Sequence, residues 1–182
     1  MVDVKSAITI DERKSVYLSA GGAVPSTAQP ADAPAAFAQS ANYEKMYGLG
    51  CSTDRQEAAD FSWAMPDNWD AGTIYMKVYW TATAGTLTGS PTVIFLCQAR
   101  CFADGETLDG AMPSAISITD APLGLNYLHK SAESAALTPS GTRAAGNFIV
   151  FRVIRDTPTD TFDNTVQILG IKVYYRSTRN SE

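Results

Sequence analysis

From Tyr43 to Tyr175 the sequence is a series of short runs of β-branched and aromatic residues, each closed by Gly, Pro, Asn or Asp. No segment keeps a helical repeat of apolar residues beyond a turn or two. A period of two sends alternate side chains to opposite faces of a strand. Many short strands separated by turn formers are the pattern of an all-β sandwich or barrel.

The clearest strand is Thr73 to Ala82, with Ile74, Met76, Val78 and Trp80 on one face and Tyr75, Lys77, Tyr79 and Thr81 on the other. Before it, Phe61, Trp63 and Met65 alternate with Asp60, Ser62 and Ala64. The loop Pro66 to Gly72 separates the two, which read as neighbouring strands. Thr92 to Phe102 is nearly continuous in apolar residues and suits a central strand covered on both faces. Asp104 to Met112 fits one short helical turn. Weaker strands are expected at Ser114–Thr119, Leu125–His129 and Glu133–Leu137. Asn147–Arg155 alternates strongly through Ile149, Phe151 and Val153. Thr165–Tyr175 closes the series, with Leu169, Ile171, Val173 and Tyr175 on one face. Seven or eight strands after residue 56 match the count of a two-sheet jelly roll.

The N-terminal part differs. Ser19 to Ala41 is rich in Ala, Gly, Pro and Ser, with Pro25, Pro30 and Pro34. Such a stretch buries too little apolar surface to offset its own ordering entropy. The stretch is either a flexible linker or an extended arm lying on a neighbour, so residues 1–41 read as an N-terminal arm with an Ala/Pro-rich linker, and 42–182 as the sandwich domain. The expected fold class is all-β, an antiparallel jelly-roll-like β-sandwich with an extended N-terminal arm.

Charge narrows the function classes. Only 18% of residues are charged and the net charge is -5. That disfavours a nucleic-acid binder, which needs a basic surface, and a polybasic membrane binder. No run approaches the ~18 apolar residues of a membrane-spanning helix. The N-terminus lacks a secretory pattern, so synthesis in a cytoplasm is expected. Cys97 and Cys101 sit on one face of a strand but ~13 Å apart at ~3.3 Å per residue, too far for a disulfide. The cysteines read as small buried hydrophobes.

Candidate chemistry is sparse. His129 is the single histidine, has no apparent orienting partner for a nucleophile–base pair, and reads as a strand-edge or surface residue. No zinc spacing joins it to the cysteines. Asp156, Asp160 and Asp163 share a loop that lacks the EF-hand spacing and reads as a solvated turn. Gly21-Gly22 and Gly48-Leu49-Gly50 lack the context of a phosphate loop. No catalytic residue, metal site or cofactor is expected. The aromatics are more informative. Trp69, in a turn, either plugs one end of the sandwich or is exposed for stacking on a sugar. Tyr75 and Tyr79, flanking Lys77 on the face away from the core, suit a subunit interface, where aromatic residues are enriched.

Phe61-Ser62-Trp63-Ala64-Met65-Pro66-Asp67-Asn68-Trp69-Asp70, leading to Val78-Tyr79-Trp80-Thr81-Ala82, resembles a pattern in small virion proteins of tailed bacteriophages. So do Arg100 to Glu106, Phe151 to Asp156, and Leu169 to Tyr175. The resemblance covers about 57–175. An arm with Val16-Tyr17-Leu18 followed by an Ala/Pro stretch is also similar. The resemblance implies a non-enzymatic jelly-roll subunit of the virion, a capsid decoration or head-fibre protein. It implies homo-oligomers, often trimers, and capsid or tail proteins as partners. Assembly in the host bacterial cytoplasm would follow, with neither nucleic acid nor membrane as partner. Val16, Tyr17, Leu18, Tyr75, Lys77 and Tyr79 are the expected contact residues. The alternative is a tail-associated receptor- or carbohydrate-binding jelly-roll module, in which Trp69 and the outer tyrosines Tyr75 and Tyr79 stack on the ligand.

Overall fold

The computed structural model describes residues 10–27, 29–38 and 45–179. Twelve strands form among them: β1 Ile10–Ser19, β2 Val24–Pro25, β3 Ala35–Ala38, β4 Lys45–Cys51, β5 Glu57–Ala64, β6 Tyr75–Thr81, β7 Val93–Phe102, β8 Ile116–Asp120, β9 His129–Lys130, β10 Ser140–Gly141, β11 Phe148–Arg155 and β12 Val166–Arg179. They make two facing sheets. In the first, the order is β3-β4-β12-β6-β9, with β1 also on β12. In the second, it is β10-β7-β11-β5-β2, with β8 also on β7. All pairs are antiparallel except the short β10–β7 contact. The fold is a β-sandwich.

The alternation in the sequence sets the core. Met76, Val78 and Trp80 of β6 and Ile74 just before it are fully buried, as are Val93, Phe95, Cys97, Ala99 and Cys101 of β7 and Ile149, Phe151 and Val153 of β11. Burying each large side chain is worth about 1.5–3 kcal/mol before ordering costs. Trp80 and Phe95 meet edge-on across the sheets, ring centres 6.0 Å apart.

Several expectations are corrected. The strand around Phe61 and the strand around Val78 are not paired: β5 lies in the second sheet and β6 in the first. Alternation identifies an inward face but does not distinguish a strand alongside from one across the core. Asp104–Met112 forms no helix. Its first turn closes through Glu106 N–H to Ala103 O at 3.2 Å, and Gly105 takes a positive φ of 79°. Only His129–Lys130 of Leu125–His129 and its neighbour becomes a strand. Glu133–Leu137 forms none beyond a bridge between Ile74 and Leu137. There the Val78 and Met76 N–H groups donate to the Ser131 and Ser134 hydroxyls, 2.9 Å each. Side chains thus satisfy an edge that a strand would otherwise cover.

The described part of the arm also differs from an extended segment on a neighbour. β1 pairs with β12 of its own chain over ten residues, Ile10 opposite Arg179 through Ser19 opposite Gly170. β2 pairs with β5, and Pro30 bridges to Ala58. The boundary at 41/42 lies outside the described residues.

β12 carries the decisive irregularity. Its register on β6 shifts between Ile168 and Gly170. Val166 and Ile168 are fully buried before the shift, and Ile171 and Val173 after it. A bulge lets even and then odd positions face the same core.

Candidate functional site

The outward faces of the two sheets are treated differently. In the second sheet the chain covers its own strands: Gln98 Nε2 donates to Pro113 O at 2.6 Å, and Arg100 Nη1 to Ala111 O at 3.0 Å. In the first sheet the outward side chains of β1, β12 and β6 meet one another. Register aligns them in rows: Ser19, Gly170 and Tyr79; then Tyr17, Lys172 and Lys77; then Ser15, Tyr174 and Tyr75. Arg13 and Arg176 follow as a pair. Same-face neighbours along a strand are ~6.8 Å apart and strands ~4.8 Å, so the rows make a three-strand surface.

Tyr17, Tyr75, Tyr79 and Tyr174 supply its aromatic surface. Tyr17 is 48% exposed and the other three are half-buried. Tyr17 leans across Gly170 onto Tyr79, edge to face at 5.4 Å. Its hydroxyl donates to Leu169 O at 2.9 Å. Partial burial, with Tyr79 beside it, holds the Tyr17 phenol above its ordinary pKa. Gly170 makes this possible, because a Cβ there would stand 2.5 Å from both Leu18 O and the Tyr17 hydroxyl.

Cations complete the surface. The Arg13 guanidinium carbon lies 4.5 Å from the Tyr174 ring centre and 5.1 Å from that of Tyr75. Lys77 Nζ and Lys172 Nζ lie 5.9 and 5.3 Å from the Tyr174 ring. Arg13 also pairs with Glu133. At this end a depression of about 200 Å³ is lined by Arg13, Tyr75, Glu133, Tyr175 and Arg176. Flat rings with polar tips, framed by hydrogen-bond donors, can hold a ligand that alternates apolar faces with polar groups.

Of the contact residues expected from sequence, Tyr17, Tyr75, Lys77 and Tyr79 come together here. Val16 and Leu18 do not: β1 turns them inward, and they pack against the chain's own core. Trp69 is likewise corrected as a stacking platform. It is 3% exposed and belongs to the core, so it has no ring face to offer a ligand. Tyr174, Lys172 and Arg13 were missed by sequence reasoning. Their signal was available, since each alternates with inward residues on strands flanking the tyrosine face.

The remaining candidates have structural employment. His129 is on an edge strand, but it is 1% exposed and stacks on Trp80 at 4.2 Å. Leu123 N–H donates to its Nδ1 at 3.3 Å, and Nε2 lies 3.0 Å from Gly124 O. A carbonyl only accepts, so this network assigns the proton to Nε2. Cys51, Cys97 and Cys101 are free and buried. Burial pushes their thiols up to about 12, 12 and 11, which keeps them protonated. Asp160 pairs with Arg155, Asp163 accepts from Thr86 N–H, and Asp156 accepts from Gln56.

The chain matches no protein-family model and no curated protein. Among solved structures, it is similar to a family 11 carbohydrate-binding module from Clostridium thermocellum in complex with a mixed-linked tetrasaccharide. That likeness has 10% identity, covers 95% of this chain and 92% of the other, and has a TM-score of 0.41. A carbohydrate-binding module specific for non-crystalline cellulose aligns at 9% identity over 88% of this chain and 89% of its own, TM-score 0.47. A Paenibacillus sp. cycloisomaltooligosaccharide glucanotransferase aligns at 12% identity over 83% of this chain, TM-score 0.45. The chain spans only 18% of that enzyme's length.

Proposed function

We propose that this chain is a carbohydrate-binding β-sandwich module that works by binding and not by catalysis, through the outward face of its first sheet. The observation that carries this reading is the convergence of Tyr17, Tyr75, Tyr79 and Tyr174 on one side of three adjacent strands. Solvated sheet faces need no such surface. Sugar rings present C–H faces to aromatic rings and hydroxyls to their polar tips, which matches tyrosine. Tyr75 and Tyr79 are four residues apart on β6, ~13 Å along the strand. That span suits an extended chain of sugars better than a single one.

A glycan array tests this, repeated with Tyr75→Ala and Tyr79→Ala. The expected result is binding to a defined glycan class, weakened about tenfold or more in each variant, the scale of losing ~1.4 kcal/mol. Failure to bind across a broad array overturns the reading.

A second reading is a bacteriophage virion subunit, a capsid decoration or head-fibre protein. It is favoured by the loop before β9, which leaves Leu123, Tyr127 and Leu128 largely exposed. The loop is held in place by Asn126 N–H to Ala82 O at 2.7 Å and by the Thr81 hydroxyl to Tyr127 O at 2.7 Å. An ordered apolar patch suits contact with another subunit. On this reading the protein is a homo-oligomer, with a trimer favoured. A solution mass equal to the monomer at all concentrations, with absence from purified particles, removes it.

A further inference from the structure

We infer that the ligand of the tyrosine face is an anionic polysaccharide, carrying carboxylate or sulfate groups that Lys77, Lys172 and Arg13 hold. This rests on the glycan-binding reading above and names its ligand class.

Lys172 and Lys77 are direct cross-strand partners. Like charges placed opposite each other destabilise a sheet. Long lysine side chains are free to splay apart, yet both amines turn toward the same ring, that of Tyr174. Neither lysine takes part in a salt bridge among the described residues. Arg13 brings a third cation to Tyr174 from the other side of β12. This happens in a chain with 14 Lys and Arg against 19 Asp and Glu. Folding alone would favour a carboxylate or threonine opposite Lys77. Glu133 pairs with Arg13 at the rim, and among the described residues no carboxylate forms a salt bridge with either lysine.

A neutral glycan has use for the rings but not for this cluster. An acidic group above Tyr174 would accept from both amines and relieve their repulsion. Tyr17 and Tyr79 on one side, and Tyr75 on the other, would then face the flanking sugars.

The experiment is calorimetric titration of the full chain with an oligogalacturonate, an oligoalginate and a heparin oligosaccharide. Methyl-esterified oligogalacturonate and neutral cello- and manno-oligosaccharides are the comparison set. At least one acidic chain should bind about tenfold or more tightly than every neutral one, and its affinity should fall as salt screens the charges. Lys77→Gln and Lys172→Gln should each weaken that binding about tenfold while leaving Tm unchanged or raised, because repulsion is removed. Neutral chains bound as tightly as acidic ones, or binding unmoved by both variants, overturn this inference and leave the glycan reading standing. A lowered Tm in both variants also overturns it, since the lysines would then be structural. No binding to the acidic set or to a neutral glycan array overturns both.

Discussion

Arg155 is the most heavily bonded side chain in the described structure, and it is 0% exposed. Its Nε donates to Asp160 at 2.7 Å, and Nη1 to the carbonyls of Cys51 at 3.0 Å and Asn164 at 2.6 Å. Nη2 donates to Phe162 O at 2.7 Å. One guanidinium thus ties β11 of the second sheet to the end of β4 in the first and to the loop before β12. Arg155→Leu would leave the buried Asp160 carboxylate without its partner. Urea denaturation should show a loss of about 3–5 kcal/mol, and adding Asp160→Leu should recover part of it. Asp163 makes a different, pH-dependent contribution. The Thr86 backbone and side chain bond its carboxylate and hold its pKa below the ordinary value. A lowered folded pKa stabilises fully above the unfolded value of about 3.9 and is lost as pH falls through the folded one. Asp163→Asn should therefore be less stable than the unsubstituted protein near neutrality, and the difference should shrink as pH falls through the folded pKa, so stability falls less steeply in acid in the variant. Arg155 was legible by parity, because it continues the inward series Ile149, Phe151 and Val153. Its partners were not, because Cys51 lies 104 residues away in sequence.

At the scale of elements, the bulge in β12 decides how the tyrosine face is built. It returns the chain to the core-facing phase after Gly170 and opens the gap that Tyr17 crosses. Gly170→Val should cost about 1–3 kcal/mol by overpacking, since its Cβ would stand 2.5 Å from the Leu18 carbonyl on β1. Amide exchange in residues 10–19 should accelerate more than exchange in β7 or β11. Unchanged exchange in β1 would show that the two strands part without help from this site. The serine caps on β6 give a second prediction. Ser131→Ala would leave the Val78 N–H without an acceptor and should cost about 1–3 kcal/mol in thermal or urea melts. Inward faces of β6, β7 and β11 were readable from alternation. The bulge was not, because Val166, Ile168, Leu169, Ile171 and Val173 allow either phase.

At the scale of the whole molecule, β1 is both an edge of the first sheet and one side of the candidate site. Removing residues 1–19 would take β1 off β12 from Gly170 to Arg179, leaving only β6 beside it over Gly170–Tyr174, and uncover a long unpaired edge, a template for self-association. The truncated protein should melt at lower temperature and aggregate on heating, followed by light scattering. An undiminished Tm would return this segment to the role of a dispensable arm. The contrast between β1 and its reading as an arm marks where sequence stops. Local alternation and turn chemistry determine that this chain makes short strands, which side of most strands is apolar, and that Tyr75, Lys77 and Tyr79 look away from the core. These follow from neighbours two residues apart. Pairing is different, because strand partners are chosen by the total burial and hydrogen bonding of segments far apart in the chain. Only the tertiary structure placed β5 and β6 in opposite sheets, buried Trp69, folded β1 back onto β12, and set Lys172 directly across from Lys77.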